Sequence, residues 1–199
     1  MRWICTLATA ARMTVLTAVL TGLAYPMTVT LAAGLLFPDA AQGSLVREEH
    51  GRVVGSVHIG QHFSRGVSFQ PRPSAAGQGY DGAASGGSNL GPTSRVLSER
   101  ARLEVARLVR DNPGAPLRVP AVLVATSASG LDPDLPPETA LWPVGRVAAA
   151  RGLDADRVAS VVRDQVISRD LGFLGEPRVN VLKLNVALDR QFGRPGDSP

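Results

Sequence analysis

The stretch from Tyr80 to Ser94, "YDGAASGGSNLGPTS", gathers residue types that can hold a phosphate. Glycine lets a backbone approach a ligand closely, and exposed N–H groups in such a loop can cradle an anion. Ser85, Gly86, Gly87, Ser88 and Asn89 are therefore candidate contacts for a nucleotide or for a protein partner. The context argues against a phosphate loop. A Walker loop needs a lysine followed by Ser or Thr, with a strand before it and a helix after it. "GGSNLG" has no lysine, and no clear strand precedes it. The G-x-G-x-x-G dinucleotide pattern is missing too. A rigid loop is the competing reading. Its glycines would make tight turns, Ser85, Ser88 and Asn89 would bond backbone or a partner, and Pro92 would lead into the next helix.

Other chemistry is sparse. Cys5 is the one cysteine, so no disulfide forms within the chain and no Cys/His zinc cluster exists. Of His50, His58 and His62, the last two lie four apart. Gly60 stands between them, in what reads as strand running into loop, so solvated or locally bonded histidines are the plainer reading of a metal pair. Asp132, Asp134 and Glu138 in "GLDPDLPPE" could hold a divalent cation; Asp-Pro turns capping a helix account for them more simply. No G-x-S-x-G nucleophile elbow is present. The sequence offers no catalytic constellation and no metal site.

Charge narrows the partners. There are 21 basic residues, of which only Lys183 is a lysine, against 17 acidic ones, a formal charge of +4. The arginines are spread along the chain rather than gathered on one face, which argues against nucleic acid. "RVAAARGLDADRVASVV" superficially resembles a helix-turn-helix, but outside a membrane it would have no DNA to read.

The elements that would position these residues follow from periodicity. Arg52–Ile59 alternates like a strand, and about thirty residues without periodicity follow it. Residues 94–113 form the clearest helix, with Leu97, Ala101, Val105 and Leu108 on one stripe and Pro113 as its stop. The apolar run Val122–Ala125 suits a buried strand. A helix opens near Pro137 and closes at Gly152, with Pro143 and Gly145 kinking it or moving its start to Trp142. Asp154 caps another helix to about Gln165, with Val158, Val161 and Val162 on one face. Residues 178–189 read as a strand with a bulge, on the alternation of Leu182, Leu184, Val186 and Leu188. Residues 191–199 read as a disordered tail.

Met13 through Pro38 carries no charge over 26 residues, where a bilayer-spanning helix needs about 20. Its threonines can bond back to their own helix carbonyls, and Pro26 frees one carbonyl and bends the helix. A cleaved signal peptide would use Arg2 and Arg12 as its charged region, but its apolar part usually runs to only about 7–15 residues. A retained anchor over 13–37 fits better. Arg2 and Arg12 precede it closely, so residues 1–12 are expected in the cytoplasm and the rest outside. The expected architecture is a small α+β (or α/β) extracytoplasmic domain, 38–190, on a single N-terminal transmembrane helix.

"TGLAYPMTVT", "GSVHIGQHF", "RPSA", "YDGAASGGSNLGPTS", "VPAVLVATSASGLDPDLPPETA", "RVAAARGL" and "LGEPRVNVLKLNVALD" occur in that order. Together, over residues 13–189, they resemble the C subunit of the Kdp potassium-transporting P-type ATPase. The resemblance implies a single-pass, non-catalytic subunit in the bacterial plasma membrane. Its partners would be the lipid bilayer, a potassium-translocating subunit and an ATP-hydrolysing subunit. It also implies a need for this subunit in assembly and activity, and a catalytic-chaperone role that raises the hydrolysing subunit's affinity for ATP. On that view Ser85–Ser88 is similar to an ABC-transporter signature, and ATP would be shared with the hydrolysing subunit. An extracytoplasmic domain cannot reach cytoplasmic ATP, so support near the external potassium entrance carries more weight than direct nucleotide contact.

Overall fold

The computed structural model describes residues 2–48, 51–63 and 66–194. Two compact units divide at Ser44. The first is a long helix, α1 (Arg2–Val19), continued through a π-helical turn at Leu20–Ala24 into α2 (Tyr25–Leu36), with a short α3 (Pro38–Ala41) after it. The π turn sits just before Pro26, where the missing proline N–H interrupts the ladder. Thr21 and Thr28 donate to the carbonyls of Thr17 and Ala24 at 2.7 and 2.8 Å. Arg2–Leu36 is long and apolar enough to cross a membrane. The helix begins at Arg2 and runs through Met13 without a break.

The second unit mixes helices with two small antiparallel sheets. Strands β1 (Leu45–Arg47) and β2 (Val53–Ser56) pair as a hairpin. Helix α4 (Arg95–Asp111) follows the long loop. Strand β3 (Asp134–Leu135), α5 (Pro137–Leu141), α6 (Val144–Arg151), α7 (Ala155–Asp164), β4 (Val166–Ile167), β5 (Arg178–Asn180) and α8 (Val181–Phe192) complete the chain. β5 is the centre of a three-stranded sheet, between β3 and β4.

Local chemistry explains the boundaries. Ser94 caps α4, its hydroxyl accepting from Leu97 N–H, and Asp154 caps α7 by accepting from Asp156 N–H at 2.7 Å. Gly152 closes α6 in the left-handed conformation, φ 65°. The kink expected near Pro143 is a full break. α5 ends at Leu141 and α6 restarts at Val144, because Pro143 cannot donate to the turn before it.

Three expectations are corrected. Residues 178–189 are not one strand: only Arg178–Asn180 is, and Asn180 then caps α8, its Oδ1 accepting from Lys183 N–H at 3.1 Å. Val181, Leu184, Asn185 and Leu188 are buried at helical spacing. In a continuous apolar run both periods fit, and the cap decides between them. Val122–Ala125 is no strand either. Ala121–Leu123 is a 3₁₀ turn, with Leu123 N–H donating to Pro120 C=O at 3.0 Å. The tail expected from 191 is helical to Phe192; residues 195–199 lie outside the described residues.

The core packs α5, α6, α7 and α8 over the β3–β5–β4 sheet. Leu135, Val147, Val158, Val162, Val179, Val181, Leu184 and Leu188 are fully buried there. Phe69, from the long loop, is completely enclosed with them.

Candidate functional site

Of the five candidate residues Ser85 through Asn89, three have polar groups bonded to a neighbouring loop, while the Ser85 and Asn89 residues stay exposed. Gly86 N–H donates to the Ser129 carbonyl at 2.8 Å, and the Ser85 hydroxyl donates to the same oxygen at 3.0 Å. Thr126 Oγ1 donates to Ser88 Oγ at 3.3 Å. Asn89 takes a left-handed backbone, φ 50°, a conformation Asn tolerates better than most residues. The glycine-rich segment is thus laid along a second loop, Ala125–Asp132. Contact is close. A methyl group on Gly130, φ 67°, would lie 2.5 Å from Gly86 C=O, and one on Gly87 would lie 3.0 Å from Ala128 C=O. Glycine here serves loop-on-loop packing. Ser94, at the entry to α4, spends its hydroxyl on its own helix.

A set of buried polar side chains missed by the sequence reading holds the rest of the long loop. Asn185 on α8 is 4% exposed and brackets Phe69: its Oδ1 accepts from Phe69 N–H at 2.9 Å and its Nδ2 donates to Phe69 C=O at 3.0 Å. One amide side chain thereby satisfies both backbone groups of a residue with no sheet partner. Arg146 on α6 donates to the carbonyls of Gly66 and Ser68 and to Asn112 Oδ1. Burial pushes its guanidinium below the ordinary arginine value. Arg151, at the end of α6, donates to Val67 C=O at 2.7 Å and to Asp189 at 2.8 Å, with its side chain 2% exposed. Its remaining nitrogen, Nη1, is buried without a partner among the described residues. The one sequence signal for Asn185 is an amide inside a largely apolar run; a strand alternating on Leu182, Leu184, Val186 and Leu188 would put it on the opposite face from those residues, whereas the helix buries it with Leu184 and Leu188.

Arg72 ties the two loops together. It donates to the carbonyls of Ala125 and Thr126 and pairs with Asp132 at 3.2 Å. Tyr80, the first residue of the glycine-rich stretch, donates its hydroxyl to Arg72 C=O at 2.7 Å. Burial, reinforced by Glu104 and opposed by Arg107, pushes the Tyr80 phenol up to about 12.

Asp132 and Asp134 have structural partners. Asp132 Oδ1 accepts from Asp134 N–H at 3.1 Å, closing a turn of the expected kind. Asp134 accepts from Asn180 Nδ2 at 2.8 Å and pairs with Arg178 at 3.4 Å. His62 stands by Tyr80, ring centres 6.1 Å apart. Among the described residues no three His, Cys, Asp or Glu side chains gather as metal ligands would; His50 lies outside them.

Comparison with known proteins agrees with the ordered motifs. The profile of the family described as "K+-transporting ATPase, c chain" matches residues 7–190. The potassium-transporting ATPase KdpC subunit of Myxococcus xanthus is 63% identical over 188 residues, spanning 94% of this chain and 89% of that one. The KdpC subunit of Methylobacterium nodulans is 52% identical, over 88% of this chain and 92% of its own. That of Caulobacter vibrioides is 50% identical, over 87% of each. An anchor-like helix, a loop-clamped mixed domain and this match along nearly the whole length agree: the chain belongs to the KdpC family of K+-transporting ATPase subunits.

Proposed function

We propose that this chain is a non-catalytic accessory subunit of an ATP-driven potassium uptake complex, with ATP hydrolysed by another subunit. Its anchor would sit in the bacterial plasma membrane with the N-terminus in the cytoplasm. Its domain would stand outside, where it supports assembly with the potassium-translocating and ATP-hydrolysing subunits. The family match carries the complex, and Arg2 and Arg12 before the anchor, with no Arg or Lys after it until Arg47, support the orientation.

One observation favours structural support over nucleotide contact: the donors of Ser85 and Gly86 are already spent on Ser129. An effect on ATP affinity would then travel through the hydrolysing subunit rather than through this loop. Direct nucleotide contact at Ser85–Asn89 is the rival reading.

Affinity purification of the tagged chain from its native membrane tests the first reading. Recovery of a P-type ATPase and a potassium-translocating subunit is expected; their absence sinks it. Protease access in spheroplasts tests the side: cleavage near residue 100 from outside is expected, and protection would return ATP contact to consideration. Calorimetric titration of ATP into the full chain in detergent, beside Ser85→Ala and Asn89→Ala, tests the rival. Heat that both substitutions abolish would establish it.

A further inference from the structure

The turn between β4 and β5 presents the opposite of a satisfied loop. Within four residues it displays Leu171, Phe173 and Leu174 at 82%, 70% and 48% exposure. Elsewhere in the second unit the exposed large apolar residues, such as Leu45, Val96, Leu103 and Leu117, lie in the β1–β2 hairpin, are spaced along α4 or stand alone in a loop. Scattered residues of that kind are ordinary, whereas a contiguous cluster marks a contact.

This turn is built rather than loose. Asp170 and Leu174 exchange both backbone hydrogen bonds at 2.9 Å, and Arg169 pairs with Glu176 across the base at 2.7 Å. Leu171 sits in the left-handed region at φ 53°, followed by Gly172 at 82° and Gly175 at 77°. A non-glycine residue there is strained unless its surroundings impose it. The strands below it register Val166 with Val179 and Ile167 with Arg178, and Val179 is fully buried. A rigid apolar knob therefore stands on a fixed base, and holding it in shape on binding costs little further entropy.

We infer that this knob inserts into an apolar, uncharged pocket on another subunit of the potassium-transporting complex. The inference rests on the subunit reading above. Charge separates this partner from a lipid surface. Between Arg169 and Arg178 two arginines balance Asp170 and Glu176, and both arginines are paired, with Glu176 and Asp134. Membrane-surface segments carry free basic residues on their polar side; this turn has none, both its arginines being paired. A central Phe with flanking Leu suits a protein pocket, where a few buried anchors carry most of the affinity.

The test uses the full chain co-expressed with the other subunits. A photoreactive benzoyl-phenylalanine at position 173 is expected to cross-link to one of those subunits on illumination, while the same group at Leu103 gives no such product. The double variant Leu171→Ser/Phe173→Ser is expected to lower subunit recovery roughly tenfold or more, with the melting temperature of the chain itself unmoved. Cross-links only to lipid, only to a second copy, or to nothing overturn the inference, as does recovery equal to wild type. If wild type also brings no subunits, the parent reading has failed. If the serine variant melts early, the cross-link decides alone.

Discussion

The glycine-rich stretch and the β4–β5 turn have exchanged the roles their compositions suggest. The stretch is small, polar and glycine-rich, the make-up of a ligand loop, yet its donors close onto Ser129 and its glycines admit a neighbouring loop. The turn "DLGFLG" is as apolar as a core segment, yet its large side chains face outward on a backbone held by paired hydrogen bonds. Composition describes what a segment is able to do. Whether a polar group is free or an apolar one is covered depends on what the fold brings beside it.

If the long loop is held by internal polar clamps, breaking a clamp should damage the fold most. Asn185→Leu leaves Phe69 N–H and C=O buried and unpaired, at a cost of about 1–3 kcal/mol for each group. Urea unfolding of the full chain in detergent should show the largest loss of this series. A loss below ~1 kcal/mol would mean that water or a shifted loop replaces the amide.

Gly130→Ala comes next. Its methyl group would meet Gly86 C=O at 2.5 Å with the backbone at φ 67°, for a cost on the order of 1–3 kcal/mol. Gly91→Ala, at a glycine with open space around it, should be nearly neutral. Similar losses at both sites would show that the two loops do not depend on this contact.

Tyr80 gives the comparison a pH dependence. Its folded value, about 12, lies above the free phenol near 10, so the native state favours the neutral phenol. That contribution is complete below pH 10 and is lost as pH rises through about 12. Melting temperature should fall across this window, and Tyr80→Phe should flatten the fall while lowering stability at pH 7 by about 1 kcal/mol through the lost hydrogen bond. An unchanged slope would leave the phenol exposed.

The smallest effects belong to the exposed groups. Ser85→Ala should cost about 0.5–1 kcal/mol. Leu171→Ser and Phe173→Ser should each move the stability of the chain alone by no more than about 0.5 kcal/mol, measured by the same unfolding curves. A large loss at the turn would mean that its apolar residues pack within the domain.

Short-range signals were legible. The long apolar helix announced itself by 26 uncharged residues. Asp154 and Gly152 marked helix ends, because a cap is a bond between near neighbours. The valines of α7 fell on the face their spacing assigned, and Val158, Val161 and Val162 are buried. The α4 stripe was only partly right. Leu108 is buried, but Val105 remains 37% exposed, since little of the fold covers that side.

What failed was whatever depended on distant contacts. Strands of two or three residues, such as β3 and β4, carry too few side chains to show a period; they exist because β5 pairs with both. Val181–Leu188 fitted two periods, and the Asn180 cap together with burial in the core separates them. The sequence by itself determined the long apolar helix, the boundaries at Gly152 and Asp154 and, through long ordered motifs, the family, because each is written in neighbouring residues. Tertiary structure alone decided that Asn185, Arg146 and Arg151 hold a loop more than 75 residues away in the chain. It also decided that Ser85 and Gly86 bond a neighbouring loop while Phe173 faces out, since hydrogen-bond satisfaction and burial are properties of juxtaposition.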